Sequence, residues 1–344
     1  MEQPYRVAVI EKMKPSVHIV VLNWNGKADT LECLESLQRL DYPECTITVV
    51  DNGSSDGSAD TFRALGSRIQ VIETGCNLGF AGGNNAGIRH ALDTGADYVL
   101  LLNNDTTVAT DLVSRLVESA ATRPDGGIFG PKIYFHADPK RIWSAGGMWL
   151  ADRQHFAQRG DGELDHGQYD TISDDDFVVG CAMFIRREVF GRIGLLDEDF
   201  FLNYEEIDFC TRARKAGFAN IYVPSGHVWH KVSVSFGGED SPLKAYFTFR
   251  NRLLWAHKQL SFKQRLVLHW SIYRRGFVCF LVPVLGAAKH GPRAMLWAWR
   301  GTLNSPLNQA WYKGIRDYWR RRFGACPKDI WELQKRWKAM RGTS

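Results

Sequence analysis

The chain has 344 residues, 44% of them apolar and 24% charged, with a net charge of +5, which excludes global disorder and leaves room for one large domain plus an appendage. Its seven cysteines (Cys33, Cys45, Cys76, Cys181, Cys210, Cys279 and Cys326) are odd in number and form no CxxC pair, which argues against a disulfide framework or a thiolate zinc site. Residues 1–15, an N-terminal extension, carry Glu2, Arg6, Glu11, Lys12 and Lys14 and lack the apolar core of a signal peptide, so a cytoplasmic location is expected.

In chain order, Val17–Leu22 is a continuous apolar run of buried-strand type, and Leu31, Leu34, Leu37 and Leu40 mark a helix stripe that Tyr42-Pro43 ends. Thr46–Val50 and Ile69–Ile72 read as strands, Gly83–Leu92 as a helix and Tyr98–Leu102 as a fourth strand. This rhythm predicts an α/β fold, a Rossmann-like, mainly parallel mixed sheet flanked by helices. An acidic loop follows at Asp161–Asp176, then a strand over Phe177–Ile185, a helix from Glu205 and a strand over Asn220–Val223. A boundary is expected near Gly237–Pro242, and from Leu243 the pattern is helical, basic and aromatic.

The charge is unevenly spread. From Lys244 to Ser344 there are 21 Lys and Arg against Asp317, Asp329 and Glu332, a balance of +18, and eight of the twelve tryptophans lie there. Such a tail suits nucleic acid by charge alone, but Trp with Lys and Arg suits an anionic membrane surface, where each cation adds about 1 kcal/mol. The longest apolar run, Gly276–Ala288, is interrupted by Pro283 and is shorter than the roughly 20 residues of a membrane span. An interfacial segment, a re-entrant hairpin or a buried helix fits it better.

In a parallel sheet, ligands bind beyond the carboxyl ends of the strands. Four polar groups follow the four early strands: Asn23-Trp24-Asn25, Asp51-Asn52-Gly53-Ser54, Asn77-Leu78-Gly79-Phe80 and Asn103-Asn104-Asp105. Together they form the polar rim a nucleotide needs, with Asp51 an acceptor for base or ribose and Gly79, Gly82 and Gly83 allowing close backbone approach. The first strand is not followed by GxGxxG, as a dinucleotide dehydrogenase requires, or by the Gly-rich, Arg-bearing loop of a sugar-nucleotide pyrophosphorylase. Asp174-Asp175-Asp176 mimics a metal triplet but precedes a strand, so a solvated loop is expected. Asp208 and Arg212 lie four apart on a helix and suit a structural ion pair.

The segments VVLNWNG, VVDNGSSDGS, NLGFAGGNNAGI and LLNNDT resemble the nucleotide half of family 2 glycosyltransferases, which have the GT-A fold. GCAMFIRREVFGRIGLLDEDFFLNYEEIDFCTRARKAGF and GHVWHKVSVSFG resemble the acceptor half, and the similarity covers roughly residues 16–325, nearest to the bacterial rhamnosyltransferase-like branch. The resemblance implies a catalytic domain over 16–240, divided near 125, and a C-terminal helical membrane-associating or acceptor region over 241–344. It implies nucleotide-sugar contacts from Asn23, Trp24, Asn25, Asp51, Asn77, Gly79, Asn84, Asn103, Asn104 and Arg250. Asp105 takes the place of the family's last DxD acid, so Mg²⁺ or Mn²⁺ is expected there, with His230 rather than His227 as second ligand. Asp105 is the only carboxylate of its motif, so metal affinity is expected to be modest. Glu206 stands where the family has its catalytic base, one methylene longer than the usual Asp, and Glu205 is the alternative. The donor implied is dTDP-L-rhamnose, with UDP-sugars second. The acceptor implied is a lipid-linked saccharide of cell-surface polysaccharide synthesis, met at the inner face of the cell membrane, and no nucleic acid partner is expected. A catalytically idle carbohydrate- or lipid-binding relative would be free to lose Asp105 or the acidic cluster, and both are present.

Overall fold

The computed structural model describes residues 14–66, 69–232 and 241–341. The N-terminal extension up to Met13 and the expected boundary up to Asp240 lie outside the described residues. The chain opens with the expected alternation: β1 (Val17–Asn23), α1 (Lys27–Leu37), β2 (Cys45–Asp51), α2 (Ser58–Arg63), β3 (Ile69–Glu73), α3 (Gly79–Asp93) and β4 (Tyr98–Asn103). Parallel pairing joins β1 to both β2 and β4, and β2 to β3. Helices cover both faces of these strands, which is why β1 and β4 are buried almost without alternation.

The second half adds β5 (Thr106–Val108), α4 (Leu112–Thr122), β6 (Gly126–Phe135), β7 (Asp138–Ser144), a hairpin of β8 (Gly147–Leu150) and β9 (His155–Gln158), and β10 (Ser173–Asp175). Then come β11 (Ala182–Arg186), α5 (Arg187–Ile193), α6 (Glu205–Lys215) and β12 (Ala219–His230). The strand order is β10-β12-β6-β11-β4-β1-β2-β3, with β11 antiparallel to both β4 and β6. This is the mainly parallel mixed sheet expected.

Three elements differ from expectation. The strand read over Phe177–Ile185 is confined to Ala182–Arg186, because residues 178–181 cross the carboxyl ends of the sheet as a loop, the Val178 N–H donating to Cys210 Sγ. The strand read over Asn220–Val223 runs on to His230 after a register shift between Val223 and His227, which sets both histidines on a strand. Helix α3 begins at Gly79 instead of Gly83.

The C-terminal helices are α7 (Pro242–Gln259), α8 (Phe262–Ala288), α9 (Pro292–Asn304), α10 (Pro306–Trp319) and α11 (Lys328–Arg341). They divide into two kinds. Leu253, Leu254 and Trp255 of α7, Leu268 and Ile272 of α8 and Tyr318 of α10 join the core of the catalytic sheet, so burial does not break near residue 241. Helix α9 has no buried residue, and Trp297 is 80% exposed.

Candidate active site

The four polar groups meet at one edge, as expected, and most of their side chains first bind one another. Asn23 is fully buried; its Nδ2 donates to Asp51 Oδ2 (2.9 Å) and Ser54 Oγ (3.0 Å), and its Oδ1 accepts from Thr30 Oγ1 (2.9 Å). Asp51 Oδ1 accepts from the Ser54 N–H (2.9 Å), so the carboxylate is fixed in direction from both sides. Asn25 is exposed, in the left-handed region at φ 52°, and takes the Ser55 N–H on its Oδ1 (2.7 Å). Trp24 packs against Trp331 of α11, with ring centroids 5.4 Å apart, so the C-terminal helix reaches the rim where β1 ends.

Asn77 Oδ1 caps the Gly79 N–H (2.8 Å), and Asn84 Nδ2 donates to the Phe80 carbonyl (2.9 Å) within α3. Gly79 sits at φ +73°, and a Cβ there would come within 2.3 Å of the Phe201 carbonyl oxygen. Gly83 lies against Leu22 of β1 in the same way. The space these glycines leave is filled by the protein's own loop and strand.

The end of β4 forms a second polar node. Asn103 N–H donates to the Cys181 carbonyl (2.9 Å), and Asn104 Nδ2 donates to Thr30 Oγ1 (2.9 Å). Asp105 is buried, and its Oδ1 lies 3.1 Å from His230 Nε2. Two features of the chain bring them together. Strand β12 pairs His230 with Thr106 of β5, and the Lys231 N–H donates to the Asp105 carbonyl (2.9 Å). Lys231 Nζ also grips Asp29 and Glu32 of α1, each at 2.6 Å. His227 packs instead on the Tyr134 ring, as a residue three positions away on a strand must face the other side.

Asp105 and His230 fit a hard divalent ion. The two atoms are hydrogen-bonded at 3.1 Å, and adjacent donors of an octahedral Mg²⁺ or Mn²⁺ site lie about 3 Å apart, so an ion would take the place of the shared proton. The His230 Nδ1 is buried without a hydrogen-bond partner. Among the described residues, no group of three or more His, Cys, Asp or Glu converges on one point, so the remaining positions would fall to donor oxygens and water.

Glu205 and Glu206 open α6. One carboxyl oxygen of each is buried with no hydrogen-bond partner. Burial pushes both carboxyls above the usual range, and Glu205, which also faces the Glu206 charge, is pushed well above it. Of the two, Glu205 is the harder to ionise. A Cβ on Gly180 would meet the Glu206 Cβ at 3.5 Å and the Phe80 ring at 3.5 Å, so the bare Gly180-Cys181 segment lies between Glu206 and the Asn103–Asp105 node.

Two expectations are corrected. Arg250 does not reach a diphosphate site. It is fully buried, stacked 4.7 Å over the Phe247 ring, and its guanidinium donates to the carbonyls of Asp199, Phe200 and Gly324. The Asp174–Asp176 triplet is no solvated loop. Each acid has an arginine: Asp174 pairs with Arg123, the buried Asp175 with Arg159 and Asp176 with Arg214. These acids and Asp125 line a cavity of about 360 Å³ at the β10 edge, where Asp125 and Asp174 share Arg123 and burial pushes the Asp175 carboxyl up to about 6. Asp208 and Arg212 form the expected pair at 2.7 Å. Sequence reasoning missed Phe80, Gly180 and Trp331, whose importance arises only from tertiary approach. It also missed Asn251, the residue that follows Arg250.

Comparison with known proteins now decides the family. The model of "Glycosyl transferase family 2" matches residues 16–194. The chain belongs to this family. The match ends before α6. Among curated relatives, the chain is 28% identical over 301 residues to the low-salt glycan biosynthesis hexosyltransferase Agl10 of Haloferax volcanii, covering 82% of this chain and 93% of that one. It is 24% identical to the dTDP-rhamnosyl transferase RfbF of Shigella flexneri, over 72% of this chain and 81% of that one. It is 27% identical to the N-acetylglucosaminyl-diphospho-decaprenol L-rhamnosyltransferase of Mycobacterium tuberculosis, over 59% and 72%. A longer uncharacterized protein of Sinorhizobium fredii is 30% identical, and the chain spans 23% of its length. In fold, the chain is similar to a mannosyltransferase of Pyrobaculum calidifontis solved with GDP-mannose and Mn²⁺, with a TM-score of 0.56 at 18% identity over 93% of this chain and 90% of that one. The family 2 chain therefore has the GT-A fold and is a glycosyltransferase.

Proposed function

We propose that this glycosyltransferase inverts the anomeric centre as it moves L-rhamnose from dTDP-rhamnose to a polyprenyl-diphosphate-linked saccharide in bacterial cell-surface polysaccharide synthesis. The observation that carries the reading is the placement of Glu206, with an unpartnered buried oxygen, across Gly180-Cys181 from the Asp105–His230 pair. Asp51, held by Asn23 and Ser54, presents a fixed acceptor to the base or ribose, and Trp24 with Trp331 gives that end an aromatic wall. Glu206 takes the proton of the acceptor hydroxyl as that oxygen attacks the anomeric carbon. Asp105 and His230 would hold Mg²⁺ or Mn²⁺, which when bound neutralises charge on the departing diphosphate.

Rhamnose is proposed because two relatives bear that name, and a lipid-linked acceptor because one of them names a decaprenol-linked sugar. A UDP-sugar donor is the second reading. Incubation with a panel of dTDP- and UDP-sugars, with and without Mn²⁺, should release nucleotide fastest from dTDP-rhamnose. Faster release from a UDP-sugar moves the donor to the second reading, and release from none of them leaves an idle relative.

The membrane reading rests on α8 and α9. Phe262, Leu266, Trp270 and Phe277 recur near helical spacing on α8 and are each more than half exposed; α9 adds Trp297, with Lys263, Arg274, Lys289 and Arg293 exposed around them. Among the described residues no helix is long and apolar enough to cross a membrane, so surface seating is proposed. Phosphatidylglycerol vesicles should bind the protein at low salt, neutral vesicles should not, and Trp270→Ser with Trp297→Ser should lose binding while donor hydrolysis persists. Indifference to anionic vesicles at low salt would make this face an oligomer or acceptor contact.

A further inference from the structure

The loop that delivers Glu205 and Glu206 is held in a costly shape. Phe201, Asn203 and Tyr204 lie at φ 62°, 64° and 76°, the left-handed region that non-glycine residues avoid, and Tyr204 is the residue before α6. Such a turn leaves its carbonyls pointing away from any strand or helix ladder, and burial makes unpaired carbonyls expensive. Two neighbouring side chains of α7 take them. Asn251 Nδ2 donates to the carbonyls of Phe200 (2.8 Å), Leu202 (2.7 Å) and Asn203 (2.7 Å). Arg250 Nη2 donates to Asp199 (3.0 Å) and Phe200 (2.9 Å), and its Nε is oriented by Asn251 Oδ1 (2.9 Å). Both side chains are fully buried. Arg250 Nη1 also holds the Gly324 carbonyl (3.1 Å), and the Gly324 N–H returns to Asp199 (2.8 Å), so the corner before α11 joins the same knot. On the opposite side, the Phe80 N–H donates to the Phe201 carbonyl (2.6 Å).

We infer that Arg250 and Asn251 are positioning residues for the transfer step, which fix the start of α6 so that Glu206 is held with its Cβ against Gly180. The inference rests on the reading of Glu206 as base. A packing pair would only stabilise the fold. A positioning pair sets where one carboxyl stands and how dry it is. The titratable neighbours of Glu206 are Glu205 and Tyr204 on its own turn and Cys210 one turn further along α6, with Arg252 of α7 facing Tyr204.

The test uses the full chain with its donor and acceptor. In Asn251→Ala, kcat should fall on the order of 10²-fold, the cost of displacing a reacting group by about 1 Å, while donor KM stays nearly constant. The acid limb of the pH–rate profile should move to lower pH, because a loosened loop hydrates Glu206. Asn251→Asp keeps the shape but cannot donate, so it should be as damaging. Arg250→Lys keeps a donor for Asp199 and Phe200 and should retain part of kcat, and it carries the test where Asn251→Ala fails to fold. An unchanged kcat in folded Asn251→Ala overturns the inference, as does a loss of kcat that tracks the unfolded fraction with the pH profile unmoved. Glu206→Gln run in parallel separates the two failures. Full activity there sinks the base assignment, whereas an inactive Glu206→Gln beside a fully active Asn251→Ala sinks the clamp alone.

Discussion

Glu206→Gln lowers transfer by roughly 10²–10⁴-fold and leaves donor binding nearly unchanged. The amide keeps the shape of the carboxyl and removes its basicity, so the loss falls on kcat and spares KM. Glu205→Gln should lose far less, because burial and the facing Glu206 charge make Glu205 the harder of the pair to ionise. The pH dependence follows from the same burial. Glu206 must be ionised to act, and its carboxyl is raised by desolvation, so the acid limb of kcat/KM lies above the range of an ordinary glutamate, near 4.3. Stability runs the other way. A carboxyl raised in the folded state contributes stability while protonated, and that contribution is lost as pH rises through its folded pKa. Glu206→Gln is therefore expected to unfold at a higher temperature than the unsubstituted chain above neutrality and at a similar one in acid. Calorimetry across pH checks this without any substrate. If Glu205→Gln abolishes transfer and Glu206→Gln does not, the base is one residue earlier. If both remain active, the proton goes to another group.

The parts legible in the sequence are those set by local pattern. β1 and β4 are buried on both faces, so their apolar runs stand out, and the polar residues after them mark the open edge of the sheet. Asp105 was legible from its place one turn after such a strand, and the role of His230 came by resemblance, since the bulge that carries β12 past Val223 leaves only a proline-serine-glycine trace. What was hidden depends on partners distant in the chain. Arg250 reads by resemblance as a nucleotide-sugar contact, and only tertiary packing shows its guanidinium spent on carbonyls some 50 residues earlier. The acids at 174–176 read as a solvated run for the same reason, their arginines at 123, 159 and 214 being far away in sequence. Gly79 has a positive φ, as a glycine there suggests, but the group that approaches it is the Phe201 carbonyl. Composition tells that an approach is close; it does not tell what approaches.

Asp105→Ala should abolish transfer while leaving the fold intact, and EDTA should reproduce the loss reversibly. The fold should survive because Asp105 stabilises the β5–β12 contact through its backbone: the Lys231 N–H donates to its carbonyl, which alanine keeps. The side chain is the proposed metal ligand. Its Oδ1 and His230 Nε2 stand 3.1 Å apart, and the two asparagines before it are engaged elsewhere, Asn103 by its N–H to Cys181 and Asn104 by its amide to Thr30. Asp105 is the one carboxylate of its motif, and its removal leaves a single imidazole, too little to hold Mg²⁺ or Mn²⁺ on a diphosphate. His230→Ala keeps the carboxylate and should raise the Mn²⁺ concentration needed for half-maximal rate. His227→Ala, whose ring packs on Tyr134, should not. A readout independent of turnover is the melting temperature. Mn²⁺ with a nucleoside diphosphate should raise it in the unsubstituted chain, since a ligand bound only to the folded state stabilises it by mass action, and should not raise it in Asp105→Ala. Full transfer in EDTA would remove the ion from the reaction. A greater metal requirement in His227→Ala than in His230→Ala would move the second ligand to the other face of β12.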